Sequence, residues 1–299
     1  MKDAWAFLRG LETNARMFAP SARATFEANE ALCSWLLDPL ARWADAAYGD
    51  RAFTDAAKGY AKYCLGVWKS QQLYEKNGKY QPESVAEVIS EVYADEGYMV
   101  PYMWAAILIY AFWPSMVNHI TLFRDHFLKS LPAGAGVLEL ASGHGVMSLL
   151  SAETRPDIHL SGFDISPAAV AVANRLLGAS GHGHRVTFEV KDALKLDLTE
   201  HRGTHQGIIA AMLAEHLADP RALFAVLAHH LADEGIVFFS TAIESAQRDH
   251  IFEFHHESEP VKMAEEVGLR VTRIVCDAGI PAPGGRFLPR ALGMVLRRR

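Results

Sequence analysis

Three acidic residues in the second half of the chain stand at the ends of short apolar runs: Glu139 in VLELASGHG, Asp164 in GFDIS and Asp192 in VKDAL. Glu139 is followed by a loop of very small residues, Ala141, Ser142, Gly143 and Gly145, and then at once by a helical pattern. Such residues let a ligand approach the backbone and permit angles that bulky side chains resist. A carboxylate beside that loop repels a pyrophosphate and suits an ammonium group. Asp164, about 20 residues past the glycines, has the type and spacing that binds a pair of ribose hydroxyls. Asp192 is placed to accept a hydrogen bond from an adenine amino group.

The elements that must carry these residues alternate between short apolar runs and helical patterns. Strands are expected at Val137–Leu140, Leu160–Asp164, Val186–Val190, Gly207–Met212, Ile236–Ser240, Val271–Val275 and Leu292–Leu296. Helical patterns between the first five imply parallel strands with right-handed crossovers, hence an α/β, Rossmann-like, doubly wound, seven-stranded sheet. Only CDAGIPAPGGRFLPR joins the last two strands, which predicts a C-terminal antiparallel hairpin. Ser166 and Pro167 form a good helix start after the second strand. In such sheets ligands bind outside the carboxyl ends of the strands, where all three acids fall.

Residues 1–130 read differently. Apolar residues recur at helical spacing in ATFEANEALCSWLLDPLARWADAAYG and PESVAEVISEVYADEG, so an all-helical domain is expected there, with residues 131–299 forming the sheet domain. Pro82 is placed as a helix start, Gly97 as a stop, and a last helix as running from Pro114 to Leu131. The uncharged stretch from Gly97 to Asn118 is long enough to raise the question of a membrane span, but Pro101 and Pro114 are expected to break it. It is assigned to a buried helix instead.

The chain has 299 residues, half of them hydrophobic, and a formal net charge of −6. That balance argues against nucleic acid as a partner. Three widely spaced cysteines without a CxxC pair read as reduced thiols, and the charged N-terminal stretch shows no secretory signal, so a cytoplasmic protein is expected. Trp5, Phe7, Leu8, Phe26, Leu32, Trp35 and Leu36 present more apolar surface than a thin helical layer buries alone, so a homodimer is expected.

Two ligand classes use a glycine loop of this kind. The dinucleotide template G-x-G-x-x-G fails at its third position, which is Ser148, and Glu139 disfavours pyrophosphate. S-adenosyl-L-methionine, with an ammonium and a sulfonium and no phosphate, fits better. In their order and spacing VLELASGHG, GFDIS, VKDAL and AAMLAEHLADP resemble the motifs of class I S-adenosylmethionine-dependent methyltransferases over about residues 130–299. Ala141 departs from that pattern, where glycine is usual. The resemblance implies that Glu139 contacts the methionine ammonium, Asp164 the ribose, and Asp192 with Ala193 the adenine. Ala141, Ser142, Gly143, Gly145, Ile165 and Met212 complete the implied cofactor contacts.

The reading that follows is a methyltransferase acting on a small molecule, an aromatic, indolic or amine-bearing metabolite of secondary metabolism. Methyl transfer depends on positioning, and on a base only where the acceptor must lose a proton. His119, Tyr98 and His250 are the catalytic candidates: an ionisable ring in an apolar helix, a hydroxyl on the expected cap, and a histidine after the fifth strand. His216 and Asp249 also fall near strand ends. The run His250, Glu253, His255, His256, Glu257 matches no standard zinc spacing, and no metal is assigned. The alternatives are a nicotinamide-dependent oxidoreductase and a non-catalytic cofactor-binding module.

Overall fold

The computed structural model describes residues 3–82, 84–93, 96–196 and 202–299. The N-terminal half is helical: α1 (Trp5–Asn14), α2 (Ala19–Ala28), α3 (Glu30–Tyr48), α4 (Arg51–Asn77), α5 (Val85–Val88), α6 (Glu96–Phe112) and α7 (Pro114–Thr121). Left-handed Gly78 (φ 72°) ends α4, as Asn77-Gly78 suggests. The next helix begins at Val85 rather than at Pro82, because Ser84 caps it: its hydroxyl accepts from the Glu87 N–H at 3.2 Å. Gly97, expected as a stop, lies in the first turn of α6, and Pro101 does not break that helix, which runs through it. Tertiary packing overrides the local signal here. Gly59 of α4 lies so close that an added Cβ would stand 2.5 Å from the Pro101 carbonyl oxygen.

Pro114 does break the chain. The helical segments on either side of it meet at 84°, and among the described residues no single helix is long and apolar enough to cross a membrane. From α7 the chain continues through a π-turn and a 3-10 turn to Ser130, close to the expected end.

The sheet follows, with β1 (Gly136–Leu140), β2 (His159–Asp164), β3 (Val186–Val190), β4 (His205–Ala211), β5 (Leu231–Ile243), β6 (Leu269–Ala278) and β7 (Arg290–Arg298). Its order is β3-β2-β1-β4-β5-β7-β6. The first five strands are parallel, and β7 inserts between β5 and β6, antiparallel to both. The helices α8 (Val146–Thr154), α9 (Pro167–Ser180), α10 (Pro220–His230) and α11 (Ser258–Glu266) complete the layers. One crossover departs from expectation. Among the described residues the link from β3 to β4 holds only a 3-10 turn at Ala193–Lys195, since Asp192 caps it by accepting from the Leu194 N–H.

Alternation along the strands divides the core. Val137, Ile209, Phe238 and Val295 face one side, where α8, α9 and the N-terminal helices cover them. Leu138, Ile208, Val237 and Met294 face the other, under α10 and α11. The helical half thus shares one continuous apolar core with the sheet. Of the residues on which a dimer was expected, Phe7, Leu8, Phe26, Leu32 and Leu36 are buried in it within a single chain, while Trp5 and Trp35 are half-buried. Polar clamps add to this contact: on α4, Gln71 accepts from the Ala246 N–H at 3.0 Å, and Glu75 accepts from the N–H groups of Arg286 and Phe287.

His119 was expected to face the substrate, and its position corrects that. The inner face of α7 rests on the antiparallel edge of the sheet, and the His119 ring fills the space left by Gly293, whose Cβ would lie 3.0 Å from His119 Cδ2. Asn118 holds the helix there by donating to both carboxylate oxygens of Asp277 at 3.1 Å. Among the described residues neither His119 ring nitrogen makes a well-formed hydrogen bond. Burial pushes its pKa down to about 4, outweighing the nearby backbone of Leu292 and Ser115 and the charge of Asp277, which favour its charged form, so the ring stays neutral in the fold. Between about pH 6.5 and about pH 4 the unfolded chain therefore binds a proton that the native chain does not, and stability falls as pH falls through that window. His119→Leu should flatten this acid-side loss in melting temperature measured against pH, and should leave turnover unchanged. A large loss of turnover in a folded variant would return His119 to the chemistry.

Candidate active site

A cavity of ≈ 440 Å³ lies where the carboxyl ends of β1, β2 and β4 face α6 and the turn before it. The loop after β1 forms its floor. Ala141 (φ 54°), Gly143 (φ 51°) and Gly145 (φ 68°) are all left-handed, so the loop reverses tightly into α8. Gly145 does not line the cavity, although a contact was expected of it. Its missing side chain makes room for Phe188, whose Cζ would stand 2.4 Å from an added Cβ.

Glu139 is 3% exposed and lines the cavity. Ser148 donates to its Oε2 from both backbone N–H and hydroxyl. The residue that spoils the dinucleotide template is thus the partner of the acidic one. Burial outweighs these bonds and, with Asp164 adding its negative charge, pushes Glu139 up to about 8. Asp164 accepts from the Gly143 N–H and the Ser166 N–H, both at 2.8 Å, which ties the β1 loop to the start of α9. Its pKa is raised by burial and restrained by those two bonds. Ala141, Ser142, Gly143, Ile165, Asp192, Ala193 and Met212 join these two acids around the same cavity, as expected of a single ligand site. Ser142 Oγ is buried without a partner. A buried carboxylate, an orphaned hydroxyl and a loop open to close backbone approach fit the ammonium, hydroxyls and amino group of S-adenosyl-L-methionine.

The helical side supplies Tyr93, Tyr102, Met103 and Tyr110. The side chain of Tyr98 lies outside the described residues. His250 does reach the cavity, and it arrives with residues that sequence reasoning left aside. Glu215 and His216 follow β4, and Asp249 and His250 follow β5. The N–H groups of Ile251 and Phe252 donate to the Glu215 carbonyl at 2.7 and 3.0 Å, which brings the two acid–histidine pairs together. The rings of His216 and His250 meet edge to face, 4.9 Å between centroids. His216 Nδ1 lies 2.9 Å from the Asp249 carbonyl oxygen and 3.2 Å from Tyr93 Oη. Burial alone would lower His216, but Asp249 and Glu215 outweigh it and raise its pKa. Burial, with His216 beside it, drives His250 down to about 3. The rest of the histidine-rich run turns away: the backbone N–H groups of His255 and His256 donate to Glu259, and both side chains are exposed. A signal for Glu215 existed, an acid–histidine dipeptide recurring after two strands that are neighbours in the sheet.

A parallel sheet with this order, an acidic β1 end, a small-residue turn and a β2 acid is the arrangement of a nucleoside-binding α/β enzyme. Residues 116–271, a little over half of the chain, match the methyltransferase domain family. The chain belongs to that family and is an S-adenosyl-L-methionine-dependent methyltransferase. No curated protein matches it in sequence. Among solved structures it is similar to the mitomycin 7-O-methyltransferase MmcR, at TM-score 0.58 and 14% identity over 91% of this chain and 76% of that one. It is also similar to phosphoethanolamine N-methyltransferase 2 of Haemonchus contortus in complex with S-adenosyl-L-methionine, at TM-score 0.55 and 12% identity over 73% of this chain and 61% of that one. The (4+2)-cyclase SpnF shares the fold at TM-score 0.51 and 13% identity, covering 77% of this chain and 96% of that one. At such identities these likenesses show the fold alone.

The state of Glu139 has a measurable consequence. Its folded pKa of about 8 lies above the ordinary 4.5, so the native chain holds a proton that the unfolded chain has lost between those values. Stability therefore falls as pH rises through that window. In the absence of ligand, the melting temperature of Glu139→Gln relative to the wild type should climb steadily from about pH 5 to about pH 8. A constant difference across that range would mean that Glu139 is ionised throughout.

Proposed function

We propose that the chain transfers the methyl group of S-adenosyl-L-methionine to a small metabolite held between the helical half and the sheet. The observation that carries this reading is the cavity itself. Tyr93, Met103 and Tyr110 of the helical half line it together with the cofactor loop, so an acceptor enters a walled space rather than an open groove. Residues 1–130 then act as the substrate-covering domain and 131–299 as the cofactor-binding one. The fold shared with MmcR, a mitomycin 7-O-methyltransferase by name, extends over 91% of the chain, and an acceptor from secondary metabolism is part of this proposal. Aromatic walls suit an aromatic, indolic or amine-bearing compound.

Bound S-adenosyl-L-methionine supplies an electrophilic methyl on a cationic sulfur. The residues bind and orient it. Glu139 faces the ammonium, Asp164 takes the ribose hydroxyls, and Asp192 with Ala193 meets the adenine. Ala141, Ser142 and Gly143 let the ligand lie close to the backbone, while Ile165 and Met212 pack against it. His250, on the cavity wall, stands on the acceptor side and contacts the acceptor.

Gly143→Val should abolish binding of S-adenosylhomocysteine in a chain that still melts cooperatively, because a branched side chain enters the cavity and resists a left-handed φ. Asp164→Ala should weaken that binding by about 1–3 kcal/mol, the worth of charge-assisted bonds to the ribose. Calorimetry reads both, and wild-type affinity in either folded variant would move the cofactor elsewhere. A panel of hydroxylated and amine-bearing metabolites, incubated with methyl-labelled donor, should give label transfer to a small acceptor. Cofactor binding with no transfer across the panel, and transfer instead to a protein or nucleic acid, would overturn the small-molecule reading.

A further inference from the structure

We infer that Glu215, His216 and His250 form a divalent metal site on the wall of the cavity, for an ion of the zinc, cobalt or manganese class. One ligand atom from each of the three lies within 4.8 Å of the others. The two rings are prepared as ligands. His216 Nδ1 lies 2.9 Å from the Asp249 carbonyl oxygen, and His250 Nδ1 lies 2.7 Å from the Ser245 carbonyl oxygen. A carbonyl can only accept, so each Nδ1 carries a proton and Nε2 is the nitrogen left to a metal, which displaces any proton held there. That tautomer, fixed by a backbone oxygen behind the ring, is the one metal-ligating histidines adopt.

The carboxylate is prepared in the same way. Glu215 is fully buried, and Thr241 donates to its Oε2 at 2.7 Å, while Oε1 has no partner. Asp249, also fully buried, stands behind His216 with its Oδ2 3.6 Å from Nδ1, and neither of its oxygens has a hydrogen bond. Two buried carboxylates so sparsely partnered call for positive charge. Two imidazoles and one carboxylate match the donor set of borderline transition ions and not that of calcium or magnesium. Ligands of a tetrahedral ion at about 2.1 Å stand roughly 3.4 Å apart, a closure that side-chain rotation supplies. Three protein ligands leave the remaining coordination positions turned to the cavity, where an oxygen of the acceptor can take one.

His256, exposed and outside this cluster, supplies the control. Untagged protein is stripped with chelator, then titrated with Co2+ while visible absorption and S-adenosylhomocysteine affinity are both measured. One Co2+ per chain should bind at micromolar concentration or tighter. His216→Ala and His250→Ala should each lower the affinity at least tenfold, with S-adenosylhomocysteine binding retained, and His256→Ala should change nothing. X-ray absorption of the wild-type cobalt form should show two imidazoles and no sulfur, a readout that needs no variant to fold. Wild-type protein that binds S-adenosylhomocysteine but takes up no Co2+ overturns the site. So does uptake that survives both substitutions, or a ligand set containing thiolate from Cys33, Cys64 or Cys276. Cofactor binding is read separately throughout, so loss of the metal site and loss of the methyltransferase reading give different results.

Discussion

Four acidic residues are held at or near full burial, Glu139, Asp164 and Glu215 lining one cavity and Asp249 behind His216 of its wall, and the rest of the fold has to tolerate them. Burying a carboxylate is costly unless it is hydrogen-bonded, protonated or met by a cation. Each of the four is handled differently. Asp164 receives two backbone N–H groups, Glu139 receives Ser148 and is pushed towards its neutral form, and Glu215 receives Thr241 on one oxygen only. Asp249 has an ion pair with His216 and nothing more among the hydrogen bonds. Acidic groups are thereby gathered beside a space that fits a ligand with an ammonium and a sulfonium.

The apolar layers carry that burden. Both faces of the sheet are covered, one by α10 and α11 and the other by α8, α9 and the N-terminal helices. Because the helical half shares its core with the sheet, the wall of the cavity formed by α6 is set by the same packing that stabilises the sheet. The close passage of Gly59 against Pro101 is part of this, since it fixes α6 against α4 and so fixes where Met103 and Tyr110 stand. The clamps from Gln71 and Glu75 hold loops of the sheet half to α4 from the other end.

Two acid–histidine pairs meet at the wall of the cavity. They lie far apart in the chain and come together because β4 and β5 are adjacent and parallel. The bonds from Ile251 and Phe252 to the Glu215 carbonyl then fold the loop after β5 back under the turn after β4. A site of this kind is made by strand order and one backbone contact, and its members need share no local motif.

Sequence alone determined the seven strands, the antiparallel closure and the cofactor loop, because each depends on a local pattern. Strand alternation, a run of small residues, and an acid at a strand end are all read within a few residues. The cavity residues Glu139, Asp164 and Asp192 were legible for that reason. Tertiary structure decided what local pattern could not. Pro101 passes through a helix because a glycine on another helix makes room, and Gly145 serves Phe188 rather than the cavity. His119, an ionisable ring among apolar residues, has the same local appearance whether it faces a substrate or fills the space above Gly293. Only the direction of the inner face of α7 separates the two. Glu215 shows the converse: an acid in an ordinary turn becomes part of the site because a loop some thirty residues later folds onto its carbonyl. Such contacts depend on which strands are neighbours, and that is a property of the assembled sheet.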